Sequence, residues 1–182
     1  MGTENHPSDI VAGIEAETVE IPFPRLLERG SHELEPADIR FVLPHRDLMM
    51  AVQKVVITPQ KVIGVLEVSA ARCIGCGFVP TEELILWWPI IPEMAAQTLG
   101  LWASQFEELL KRRKRCRLLV GGETRVHKEI RLGETVSMEI NVADIKVRGR
   151  GDLLERYIRG QNFAAKVGGE VRATVDQVIL KV

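Results

Sequence analysis

Glu93 is the residue whose chemistry fits its surroundings least well. It opens the stretch Glu93-Met94-Ala95-Ala96-Gln97-Thr98-Leu99-Gly100-Leu101-Trp102-Ala103, in which every other residue is uncharged and most are apolar. A carboxylate in an apolar setting is costly unless it is paired or used. Used, it acts as a general acid or base, or it activates a water. Gln97 follows one helical turn later on the same face and can hydrogen-bond to it. The bland alternative is an acidic residue that the positive end of a helix favours.

Two further groups invite a chemical reading. Cys73-Ile74-Gly75-Cys76 has zinc or redox spacing. A structural zinc needs four ligands, with Cys116 and His127 as the distant candidates, and a redox pair needs a different strand-to-helix context. Small residues lining a loop is the default, so no metal and no cofactor is expected. Residues 111–115 with Arg117 put six cations in seven positions. This suits a solvated helix end, or a docking patch for an acidic carrier protein or coenzyme phosphates. No aromatic residues are interleaved there, so nucleic acid is not expected. Arg150-Gly151-Asp152 reads as a turn. His127 reads as a surface strand residue, and His6 and His32 lie near the N-terminus.

The elements that must hold Glu93 follow from periodicity and punctuation. Pro92 suits a helix start. The 3.6-residue pattern continues through Phe106, Leu109 and Leu110 into the basic run, which predicts a helix of roughly 20 residues, about 30 Å long. Its first half is apolar on nearly every side, so other structure must enclose it. Upstream, residues 48–57 and 61–70 read as a hairpin turning at Thr58-Pro59-Gln60, with Val62, Gly64, Leu66 and Val68 alternating with Ile63, Val65 and Glu67. Downstream, residues 117–126, 134–144, 154–166 and 171–182 read as strands, with turns at Leu132-Gly133, 148–152 and Gly168-Gly169. Residues 36–42 read as a short helical turn. Strands on both sides of one buried helix imply an α+β fold, an antiparallel sheet wrapped around one long central helix.

Composition sets the limits. The chain has 182 residues, 46% apolar and 27% charged, the balance of a soluble globular domain. No run of eighteen apolar residues suggests a membrane span, and the N-terminus does not resemble a secretory signal. Three cysteines fit a reducing, cytoplasmic setting. Residues 1–39 carry a net charge of −7 and the remainder +6. Residues 1–35 therefore read as an acidic flexible arm, with a short ordered piece at 21–27, and 36–182 as the folded domain.

Three motifs in order point to a family. Leu43-Pro44-His45-Arg46 before an apolar strand resembles the opening of the 3-hydroxyacyl-(acyl carrier protein) dehydratases. Glu93-Met94-Ala95-Ala96-Gln97-Thr98-Leu99-Gly100 resembles the E-x-x-A-Q-x-x-G of their central helix. Residues 126–142, with Gly133 in the turn, resemble the strand–turn–strand that follows. The resemblance covers about residues 40–182 and is nearest to the aryl-polyene-type dehydratase subunits. It implies a hotdog fold, an acyl-thioester substrate on acyl carrier protein or coenzyme A, and helix N-terminal amides that hold the thioester oxygen. It makes Glu93 and Gln97 the candidate catalytic pair. It puts Cys76, Gly77, Phe78, Trp87 and Trp88 around the substrate, although packing explains the two tryptophans equally well.

One departure matters. The family carries Gly-His-Phe-Pro before the helix, and its histidine is the catalytic base. Aligning prolines puts Phe78 there, and counting back from Glu93 puts Val79 there. No histidine stands between His45 and His127. His45 accompanies the family's catalytic histidine and does not replace it. Dehydration needs a base at C2 and an acid at the departing hydroxyl, and this chain supplies only the acid. Three readings stay open. The chain is a subunit lending Glu93 to a composite site with a His-bearing hotdog partner, or a thioesterase in which Glu93 activates water, or a non-catalytic acyl-thioester binder. At least a dimer is expected, homomeric or heteromeric, because a lone hotdog leaves a sheet edge exposed.

Overall fold

The alternation of residues 61–67 and the apolar helix set the architecture. A computed structural model describes residues 12–13, 19–20, 32–34, 36–37, 39, 50–70, 85–86, 88–105, 117–150 and 155–181. In chain order these contain β1 (Val19–Glu20), β2 (His32–Leu34), β3 (Lys54–Ile57), β4 (Lys61–Glu67), α1 (Ile90–Ala103), β5 (Arg117–Gly121), β6 (Thr124–Val126), β7 (Thr135–Asn141), a 3-10 turn (Val142–Asp144), β8 (Ile145–Arg150), β9 (Glu155–Val167) and β10 (Glu170–Lys181). All ten strands join one antiparallel sheet. One path runs β1-β8-β9-β7-β4-β3-β2, and β10 lies on the other side of β9 and pairs with β5 and β6. The sheet is wrapped around α1, which packs on β10, β4, β7 and β9.

Twelve of the fourteen α1 residues are buried. Met94, Leu99, Leu101 and Trp102 meet Val62, Leu66, Met138, Ile140, Phe163 and Val175 in one core. The helix approaches β4 closely enough that a Cβ at Gly64 would run into Thr98 Oγ1. A glycine there is a packing requirement. The helix starts at Ile90, two residues before the predicted start, which leaves Pro92 inside the first turn. Proline is tolerated there because first-turn N–H groups have no intrahelical acceptor. Ser104 and Gln105 mark its end. The Ser104 hydroxyl donates to Leu101 O at 2.7 Å, and its N–H reaches Gly100 O. The predicted continuation through residues 106–116 lies outside the described residues.

The β3–β4 hairpin turns where the sequence predicts. The Thr58 hydroxyl accepts the Lys61 N–H at 2.8 Å, while the Thr58 N–H reaches Lys61 O. The β9–β10 hairpin turns at Gly168 and Gly169, with φ of +56° and +87°. Two consecutive positive φ values require residues without a Cβ penalty. The span read as one strand, 117–126, is divided at Gly122 and Glu123 into β5 and β6, both paired with β10.

The span read as one strand, 134–144, is also divided, and residues 145–150 beyond it form β8, whose last three fall where the sequence predicts the start of a turn. Ile145, Val147 and Gly149 face inward, while Lys146 and Arg148 do not. Two large apolar residues and a glycine gave too weak an alternation to read. β7 and β8 lie end to end along β9 and meet at Asn162. Before Asn162, β9 pairs with β8 (Ile145↔Gly160), and after it with β7 (Met138↔Ala165). Asn162 sits at φ +59°, in the left-handed region that asparagine tolerates better than most residues. Its buried neighbours are Ile158 and Gly160 on one side and Phe163 and Ala165 on the other, so the side-chain alternation changes phase there. β10 changes phase in step, between Val175 and Val178, and the register is kept. Asp144 ties the corner, accepting from Asn141 Nδ2 at 3.0 Å and Asn162 Nδ2 at 3.5 Å.

Near the N-terminus, β1 pairs with β8 and β2 with β3, so two short pieces of the acidic region add to the sheet. Pro36, Ala37 and Ile39 are helical, as read for residues 36–42, and Ile39 is fully buried. The predicted ordered piece at 21–27 lies outside the described residues. Among the described residues, no helix is long and apolar enough to cross a membrane.

On the outer face, Glu139 of β7 accepts from Lys166 Nζ at 2.8 Å and Lys61 Nζ at 2.9 Å. Burial pushes its carboxyl up, but the two lysines outweigh this and hold it below the ordinary carboxylate value. A depressed carboxyl stabilises the fold above its unfolded pKa, and that contribution is lost as pH falls through the folded value. Replacing Glu139 with Gln should therefore lower the urea midpoint at pH 7 and narrow the difference between pH 7 and pH 3. For the β9 corner, Asn162→Val should lower unfolding free energy by about 1–3 kcal/mol, and Asn162→Gly by clearly less, both read by urea unfolding.

Candidate active site

The approach to α1 is fixed before the helix begins. Ile85 bridges to Arg131, and the Leu86 N–H donates to Ile130 O at 2.8 Å. Trp88 and Pro89 then turn the chain into the helix. The Ile91 N–H donates back to Trp88 O at 3.0 Å, and Pro92 has no N–H. Of the first-turn donors that the resemblance implies for holding a thioester oxygen, one is already engaged and one is missing.

Glu93 comes next, in the first turn and half-buried. Gln97, one turn on, is 2% exposed. Its Nε2 donates to Glu93 Oε1 at 2.7 Å, which is the contact expected from the i, i+4 spacing. The other end of the same amide was not foreseen. Gln97 Oε1 accepts the backbone N–H of Ala51 at 2.9 Å, in a buried contact between residues 46 apart in sequence. A backbone N–H can only donate, so the amide oxygen faces Ala51 and the NH2 faces the carboxylate. Ala51 is itself held. Met50, Ala51 and Val52 are buried, the Gln53 N–H donates to Val65 O at 2.8 Å, and Gln53 Oε1 accepts the Glu67 N–H at 2.6 Å. Side-chain pattern gave no signal for Ala51, because its contribution is a backbone amide.

The remaining predicted residues divide between placed and undescribed. Trp88 stands at the helix entrance, 59% exposed. Trp87, Cys76, Gly77 and Phe78 lie outside the described residues, as do Cys73, Cys116, His45 and the basic run 111–115. His127 is exposed, its Nε2 3.2 Å from Thr174 Oγ1. His32 lies in β2 opposite Ile57. No group of three or more metal-binding side chains occurs among the described residues.

A depression of about 310 Å³ lies elsewhere, between β6, β9 and β10, lined by Glu123, Arg125, Asn162, Thr174 and Asp176 among others. Neither Glu93 nor Gln97 lines it. Arg125 donates to both Glu123 oxygens, at 2.9 and 2.8 Å, and these bonds hold the Glu123 carboxyl below its ordinary value. Both side chains are exposed, so this is a surface ion pair. The arrangement at Glu93 is different in kind: one carboxylate, oriented by a buried amide, able to give or take one proton beside an enclosed apolar helix.

No family model matches the chain. Over 153 residues the chain is 28% identical to the 3-hydroxyacyl-[acyl-carrier-protein] dehydratase FabZ of Thermoanaerobacter pseudethanolicus, which covers 81% of this chain and 96% of that protein. Among solved structures, it is similar to the dehydratase heterocomplex ApeI:P from Xenorhabdus doucetiae, with a TM-score of 0.55 and 18% identity over 78% of this chain and 88% of that one. The second likeness establishes the hotdog architecture, and the first extends along nearly the whole of a dehydratase sequence. With α1 enclosed by a curled antiparallel sheet, the chain has the hotdog fold, and along most of its length its sequence is similar to a FabZ dehydratase.

Proposed function

We propose that the chain acts on acyl thioesters as one subunit of a composite 3-hydroxyacyl-thioester dehydratase, to which it lends Glu93. The observation that carries this reading is the orientation of Glu93 by a buried amide at the first turn of the enclosed helix. A carboxylate that only served the helix dipole would need no such support.

In this reading a base takes the proton from C2 of the substrate, the C2–C3 double bond forms, and the C3–O bond breaks. Glu93 gives its proton to the departing hydroxyl, which leaves as water. The proton held by the base restores Glu93 for the next turnover, so the cycle balances. The base is missing from the motif position, where this chain has Phe78 or Val79. A second hotdog chain bearing the histidine supplies it. That a dehydratase of this fold is known as a heterocomplex supports the arrangement. The thioester is carried by an acyl carrier protein or coenzyme A, and the positive balance of residues 40–182 suits either acidic carrier. The natural setting is the cytoplasm, where such thioesters are made.

The purified chain alone should not dehydrate 3-hydroxyacyl thioesters. Activity should appear on mixing with a His-bearing hotdog protein encoded beside it, followed as enoyl-thioester absorbance. Glu93→Gln in that mixture should lower kcat by about 100-fold or more. A different outcome supports a different reading. Thiol release from acyl thioesters by the chain alone, abolished by Glu93→Gln, would make it a thioesterase in which the carboxylate activates water. Thioester binding with no turnover in any mixture would make it a binder.

A further inference from the structure

We propose that the acidic N-terminal segment, residues 1–18, docks on the basic outer face of β8, β9 and β10 and neutralises it. The proposal does not rest on the dehydratase reading.

Strand register gathers the basic side chains. Lys146 of β8 lies directly opposite Arg159 of β9, and Arg159 lies opposite Ile179 of β10. In the next outward row, Arg148 lies opposite Tyr157, and Tyr157 opposite Lys181. The residues between them along each strand are buried on the inner face, so all six point outward. Arg159 therefore has one cation directly across and two more, Arg148 and Lys181, on its diagonals. Like charges so placed destabilise a sheet, and this face calls for anions. None of the four cations is without a partner. Asp144, two residues from Lys146, is already bonded to Asn141 and Asn162. Ile179 adds a second requirement. It is 2% exposed, yet it stands outside the core cluster. Every strand lies within the sheet and α1 packs on the inner face, so no described element covers Ile179. The cover must carry apolar and acidic side chains together.

The N-terminal segment carries both and enters at this edge. The β1–β8 pairing puts Glu20, Arg148, Tyr157 and Lys181 in one row across four strands. Residues 1–18 hold Glu4, Asp9, Glu15 and Glu17 and no lysine or arginine. Residues 106–116, which lead into β5 beside β10, have a net charge of +3 and the same sign as the face. Ala12 and Gly13 are helical and exposed, and a Cβ on Gly13 would meet nothing within 4 Å. Helical spacing places Ile10, Val11 and Ile14 on the side away from them, with Glu15 and Glu17 bordering that apolar arc. Laid on the sheet, the arc covers Ile179 and the two carboxylates meet the cations. The reach suffices: with residues 10–17 helical, Ile10 stands up to about 17 Å from Val19, and three strand spacings are about 14 Å. An acidic partner then reaches these four cations only by displacing the segment.

The test uses the full chain. Carbodiimide joins a carboxylate directly to an adjacent lysine amine, and trypsin releases residues 1–25 as one peptide because Arg25 is the first basic residue. Mass spectrometry should find that peptide joined through Asp9, Glu15 or Glu17 to the peptides bearing Lys146 or Lys181. In an equal mixture of 15N-labelled and unlabelled chains, the joined peptides should be wholly light or wholly heavy. Arg159→Gln should lower their yield about threefold or more, while the Lys61–Glu139 cross-link, whose partners are 2.9 Å apart, stays constant and reports an intact fold. In a second measurement, Glu15→Gln with Glu17→Gln should speed acetylation of Lys146 and Lys181 about threefold or more, and leave Lys128, on the β6 side of the sheet, unchanged. Cross-links from Glu20 alone would overturn the proposal, as would lysine acetylation indifferent to the double substitution. Joined peptides of mixed label would also overturn it and assign the face to a second copy of the chain.

Discussion

The structure depends on enclosing α1. A helix with twelve of fourteen residues buried cannot rest on one flat sheet face, because such a face covers only one side. The sheet must curl until strands lie on several sides, and contacts from α1 to β10, β4, β7 and β9 show that it does. Close approach then becomes a requirement at particular positions. Gly64 lets Thr98 sit against β4, and Gly160 leaves room for Phe163 and Ile140, whose ring and methyl atoms would lie 2.6 and 2.8 Å from an added Cβ. One glycine makes room for the helix and the other for strand side chains of the same core.

Curling a sheet so tightly disturbs the two-residue alternation that keeps apolar side chains inward. The chain solves this at Asn162 by changing phase within β9 and β10 together, and by exchanging β8 for β7 as neighbour at the same point. Neither strand has to stop, so the ladder between them keeps one register past Asn162, and its shift lies nearer the turn, between Val171 and Ala173. The acid at the helix head benefits indirectly. The curled sheet holds β4 against α1, and β4 in turn holds the segment whose amide orients Gln97.

Much of this was legible in the sequence, and what was missed has a physical pattern. The hairpin at Thr58, the turns at Gly133 and Gly168-Gly169, and the enclosed helix follow from local signals: turn residues, period two, period 3.6. The i, i+4 contact of Gln97 with Glu93 also follows from spacing alone. β8 was missed because Gly149 stands where a large apolar residue would have completed the alternation. The division of residues 117–126 and the phase change at Asn162 are responses to curvature, which no local pattern reports. β1 and β2 are two and three residues long and gain their conformation from the edges they join. At the candidate site, the contact between Gln97 and Glu93 was readable and the Ala51 amide was not, since every residue has a backbone N–H and only the fold selects which one is used.

The β4–β7 seam has a consequence for how the protein is made. Lys61 and Glu139, which form an ion pair diagonally across it, are 78 positions apart in the chain, with the helix and two further strands in between. Hairpins β3–β4 and β9–β10 can form early from neighbouring residues, but this seam closes only after a long loop has been brought together, at an entropic cost that rises with its length. Docking α1 first gives both strands a common surface to land on. β4 leaves the ribosome well before the strand that will cover its flank.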